Sequence, residues 1–169
     1  LCYKLDKAKK RLTLAQATNA LAESGTDAEI RTVKSLIEAN GFVWALNRRT
    51  RGANEIGSIR ALMKSWRVLG SEEFSRMLVL LRCAWGGHPA SLTSFVFSGM
   101  ILFLKTYSVE MDDRLFIRQL SKVDPDEIIR RGKLDFSTNN NGLRYARVIL
   151  EKYNSQRKNA KKLPYRFAD

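Results

Sequence analysis

Leu81-Arg82-Cys83-Ala84-Trp85-Gly86-Gly87-His88-Pro89-Ala90-Ser91-Leu92 decides the fold of this chain. An apolar helical run stops on two glycines, a proline follows, and a second apolar run starts at once. Glycine just past a helix end supplies the left-handed cap that other residues resist. Proline then forbids simple continuation of the helix. The stretch therefore predicts a tight helix–helix corner with Trp85 wedged into it.

Working outward, both flanks are helical. The run Phe95 to Leu104 is apolar almost all round, so the helix predicted over 92–107 belongs in the middle of a bundle. It is about half the length needed to span a bilayer. Before the corner, Ser58 starts a helix bearing Ile59, Leu62, Met63, Trp66 and Leu69, and Ser71 caps the helix that ends at Trp85. After it, Asp112 or Asp113 opens a helix, and Asp124-Pro125 opens another with proline at its first position, ended by Gly132. Asn139-Asn140-Asn141 precedes a final helix over about 143–157. Near the N-terminus, Thr13 and Asp27 cap two helices closed by Gly25 and Gly41. Phe42-Val43-Trp44-Ala45-Leu46 is strand-like, a basic turn follows, and Glu55-Ile56 returns as a second strand, giving a short β-hairpin. The expected fold is mainly α: a multi-helix bundle with a winged-helix-like N-terminal part. Its parts are a helix–helix–hairpin over 1–57, a helical bundle over 58–157, and a mobile basic tail over 158–169.

The formal charge of +13 across 169 residues points to a polyanionic partner, nucleic acid first. Cys2 and Cys83 stand far apart and read as small buried hydrophobes of a reduced compartment. No signal peptide opens the chain, and a cytoplasmic location without membrane contact is expected. One histidine, His88, and two scattered cysteines fall short of the usual zinc ligand set. The acidic pairs Glu72/Glu73, Asp112/Asp113 and Asp124/Asp126 each sit at a predicted helix N-terminus, where capping explains them. No catalytic residue, metal or cofactor is expected.

The order helix, Ala84-Trp85-Gly86-Gly87, one polar residue, Pro89, helix resembles the C-terminal region of a family of phage and mobile-element proteins. Those proteins begin with a ParB-like (ParB/sulfiredoxin-fold) domain. The resemblance runs from about Leu1 to Lys162, and it implies that the chain is a C-terminal piece without the ParB-like half.

Binding signals lie in two places. Helix, turn, helix and hairpin over 13–56 resemble a winged helix-turn-helix unit, with Arg31 and Lys34 on the second helix and Arg48, Arg49 and Arg51 at the hairpin tip. The same residues also suit two ordinary helices and a solvated hairpin. At the other end Arg144, Arg147, Arg157, Lys158, Lys161 and Lys162 accumulate, as a phosphate clamp or as a solvated helix end. Two functions follow as expectations. One is a non-catalytic DNA-binding or regulatory module gripping double-stranded DNA. The other is a protein–protein module acting on a phage recombinase, such as a recombination directionality factor for a serine integrase, with Phe42 and Trp44 as anchors.

Overall fold

The computed structural model describes residues 13–14, 16–19, 27–46 and 52–168. The predicted hairpin tip, the closing Gly25 and Cys2 lie outside the described residues. The chain is mainly helical: α1 (Ala28–Ala39), β1 (Val43–Trp44), β2 (Glu55–Ile56), α2 (Ile59–Trp85), α3 (Ser94–Tyr107), α4 (Asp113–Leu120), α5 (Pro125–Lys133) and α6 (Asn141–Asn154), with single 3-10 turns at Pro89–Leu92 and Asn159–Lys161. No helix among the described residues is long and apolar enough to cross a membrane.

Local chemistry starts these helices. The side chains of Asp27, Asp112, Asp124 and Asn140 accept hydrogen bonds from Ile30, Leu115, Asp126 and Leu143 N–H groups, which have no partner within the helix. Thr13 and Gln16 form a reciprocal capping box, each side chain accepting from the other's backbone N–H. Within α2, Gly70 adopts φ 78° and ψ 170° and breaks the helix, just ahead of Ser71.

The corner has the predicted build. Gly86 caps α2 in the left-handed conformation, its N–H donating to Arg82 O at 2.8 Å, and Pro89 opens the 3-10 turn. This turn takes up Leu92, so the central helix begins later than expected, at Ser94. Trp85 is half-buried against the core, and its indole N–H donates to Val123 O at 2.8 Å. Gly87, at φ 76°, lies so close to Asn54 that a Cβ would overlap the Asn54 side chain and come within 2.9 Å of its backbone nitrogen.

The two strands pair in parallel, Val43 with Glu55 and Trp44 with Ile56, which replaces the expected hairpin. Val43 and Ala45 N–H groups donate to Asn54 and Ile56 carbonyls, while Asn54 N–H donates to Gly87 O. The entry to β2 is therefore fixed by the distant corner rather than by a tight turn from β1. A parallel pair needs a crossover and cannot form the antiparallel wing of a winged helix.

One apolar cluster joins α1, both strands and all the later helices. Helix α3 runs through its middle, with Phe103 packed among Tyr107, Phe116 and Tyr153 at ring separations of 5.3–6.0 Å. Helices α3 and α6 meet where Gly99 has no side chain: a Cβ there would lie 2.7 Å from Tyr145 Cβ and 3.0 Å from its carbonyl carbon. Gly132 serves the same helix differently. It lies inside α5 rather than ending it, buried under the Tyr145 ring. Cys83 is exposed on α2, not buried as its residue type suggests. Because backbone on α6 cannot give way, Gly99→Ala is expected to destabilise the fold by about 1–3 kcal/mol in urea unfolding, in the range of overpacked cores.

Candidate functional site

The side chains of α4 divide by face. Phe116, Gln119 and Leu120 are buried, while Arg114 and Arg118, four residues apart, project from the opposite, exposed side. Gln119 ties this helix to the end of α6: its Nε2 donates to Tyr153 O at 3.3 Å and Ser155 O at 2.6 Å. Its Oε1 accepts from Lys122 Nζ at 3.2 Å. Tyr153 OH accepts from Asp112 N–H at 3.2 Å, a second tie between the same elements.

Beyond α6 the chain turns at Gln156, which is left-handed at φ 58°, and runs back along the bundle. This C-terminal strap is not the mobile tail that its composition suggests. Asn154 makes reciprocal hydrogen bonds with Leu163, both at 2.9 Å. The fully buried Tyr107 donates its hydroxyl to Pro164 O at 2.6 Å and accepts from Arg166 N–H at 2.9 Å. Burial pushes the Tyr107 phenol up from its ordinary pKa, which keeps that donor protonated. Phe167 is buried edge-on against the Tyr107 ring, and Arg166 pairs with Glu110.

Between α4 and this strap lies an open groove of about 710 Å³. Arg114, Arg118 and Lys122 line one side, and Arg157, Lys158 and Lys161 the other. Asp112 is the one carboxylate in its lining, and that group accepts the capping bond from Leu115 N–H. Among the described residues none of the six cations forms an ion pair. Arg157 lies over the Tyr153 ring, 5.4 Å from its centroid, which sets the guanidinium at the groove wall. Six cations held around one hollow, with their charges uncompensated, favour an anionic ligand carrying several phosphates.

The other expected site residues fall elsewhere. Arg144 donates to Thr138 O, and Arg147 to Asp135, Ser137 and Tyr165, so both brace the loop before α6. Lys162 is exposed outside the groove lining. Arg31 is exposed on α1, and Lys34 lies 4.0 Å from Glu38. Phe42 is 3% exposed and belongs to the core, so it is not an available anchor for a partner. Trp44 is half-buried, its indole N–H donating to Asn19 Oδ1. Arg114, Arg118 and Lys122 went unread in the sequence, although their four-residue spacing was the available signal.

His88, Asp124 and Asp126 bring their side-chain donors within 4.8 Å of one another on the surface. His88 Nδ1 accepts a hydrogen bond from Ala90 N–H at 3.1 Å, so in the neutral ring Nε2 carries the proton. A ligating histidine needs the reverse arrangement, with its second nitrogen donating to the protein. The trio suits a helix cap better than a metal.

The groove depends on its strap. Tyr107→Phe removes the hydroxyl that holds Pro164 and Arg166, and is expected to lower stability by about 1–2 kcal/mol. Cleavage by trypsin at Arg157, Lys158, Lys161 and Lys162 should quicken in that variant, read by mass spectrometry against the parent chain. Unchanged cleavage would mean that the strap is held without the Tyr107 hydroxyl, by Asn154, Phe167 and the Arg147–Tyr165 and Arg166–Glu110 contacts.

No curated protein and no solved structure matches this chain. A family model spans residues 12–167, and by that match the chain belongs to the family of unknown function DUF6551.

Proposed function

We propose that this chain is a non-catalytic DNA-binding module that grips the phosphate backbone of double-stranded DNA in the groove between α4 and the C-terminal strap. One observation carries the proposal: two segments distant in sequence bring to a single hollow six cations that form no ion pair among the described residues. Guanidinium and ammonium groups so placed contact phosphates and position a duplex, without reading its bases. The resemblance of Ala84 to Pro89 to ParB-like phage and mobile-element proteins supports a regulatory role on DNA in that setting. A module directed at a recombinase draws less support, since Phe42 is enclosed in the core.

The test is fluorescence anisotropy on labelled duplex DNA across a salt series. If all six cations meet phosphates, log K should fall against log salt with a slope of about −5. The Arg114→Ala/Arg118→Ala/Lys122→Ala variant should bind more weakly, with a slope shallower by about 3. Arg31→Ala/Lys34→Ala should leave the slope in place. Absence of binding at low salt, or an unchanged slope in the triple variant, would refute the groove as the DNA contact.

A further inference from the structure

The loop between α5 and α6 presents large apolar side chains to solvent. Phe136 is 80% exposed and Leu134 59%. Such residues are ordinarily turned inward, or carried on loops without fixed structure. Here the backbone around them is pinned. Asp135 Oδ1 accepts from Ser137 N–H and from Ser137 Oγ, and Arg147 donates to Asp135 Oδ2 at 3.3 Å and to Ser137 Oγ at 2.6 Å. Arg144 Nε donates to Thr138 O at 2.8 Å, and Asn140 N–H to Thr138 Oγ1. The Ser137 hydroxyl, with Arg147 behind it, holds the Asp135 carboxyl below its ordinary pKa, so the pin stays ionised at neutral pH. The loop that carries the ring is thus held in place and needs little further ordering when something lands on it.

The surroundings of the ring are cationic. Of the cations at positions 130–147, Arg131 is paired with Glu151, Arg147 with Asp135, and Arg144 donates to Thr138 O, which leaves Arg130 and Lys133 without an ion pair among the described residues. Arg130 and Lys133 are exposed, with Lys133 Nζ 4.6 Å from the centroid of the Phe95 ring. Among the described residues no other ring or cation covers Phe136. An exposed aromatic ring on a pinned loop, with cations three and six residues away in the chain, suits a single nucleic-acid strand: bases stack on such a ring while basic side chains take the phosphates. The groove beside α4 has no aromatic side chain in its lining and offers no such face.

We propose that Phe136 is a stacking platform for an unpaired base of single-stranded nucleic acid, with Arg130 and Lys133 holding the adjacent phosphates. The site is separate in residues and in chemistry from the duplex groove.

The test compares a labelled oligodeoxythymidine with an abasic strand of equal length, which keeps the phosphates and lacks the bases. The parent chain should prefer oligodeoxythymidine by about tenfold, as one base stacked on one ring provides. Phe136→Ala and Phe136→Leu should abolish that preference, while Phe136→Trp keeps it. Phe136 is exposed, so all three variants should fold, as their thermal melting will check, and should bind duplex DNA like the parent. Equal affinity for the two strands in the parent chain, or a preference that survives Phe136→Ala, overturns the proposal and leaves the ring to an acidic protein partner. Loss of the groove cations changes duplex binding and not the preference for bases, so the two proposals fail separately.

Discussion

The approach of α3 to α6 at Gly99 is the constraint on which the bundle depends. Tyr145 and Ala146 of α6 pass so near the Gly99 backbone that any Cβ would meet main-chain atoms. This contact sets where α6 lies, and three other elements follow from it. The Tyr145 ring is placed over Gly132, which seats α5. Tyr153 is placed beside Phe103 and under Asp112, which seats α4. Asn154, at the end of the helix, is placed to receive Leu163 of the strap. A helix without side-chain bulk at one point thus fixes the walls of a groove well away from it.

Electrostatics separates the cations that tie elements together from those that face the groove. Arg76, Arg131, Arg147 and Lys152 are joined to carboxylates that link separate elements, and they act as ties. Those around the α4 groove meet no carboxylate among the described residues, and their mutual repulsion is tolerated because they point into water. Part of the positive charge is therefore concentrated at this one groove. A high net charge in a sequence carries no such information, since ties and free cations count alike.

What the sequence reveals follows the range of the interactions. Caps at Asp27, Asp112, Asp124 and Asn140 are legible because donor and acceptor lie within three residues. The corner at Gly86 is legible for the same reason, and the buried α3 from its composition. The direction of β2 is not legible, because it is set by the Gly87 carbonyl far along the chain. The tail reads as mobile from its charge alone, because the groups that hold it, Tyr107, Glu110, Arg147 and Asn154, lie outside it, further back in the chain. The groove is half legible: its strap side is a visible cluster, whereas Arg114, Arg118 and Lys122 look like an ordinary solvated helix face until Gln119 docks that helix beside the strap.

Gly87 does more than turn the chain. Its carbonyl receives the N–H of Asn54, and its missing side chain is the space that the Asn54 amide occupies. The corner and the strand entry are therefore one steric unit built from two distant parts of the sequence. Any side chain admitted at Gly87 must displace Asn54, and with it the left-handed turn at φ 63° that starts β2. A side chain at Gly87 is thus barred twice over, by Asn54, which occupies its space, and by the positive φ of 76° that only glycine adopts freely.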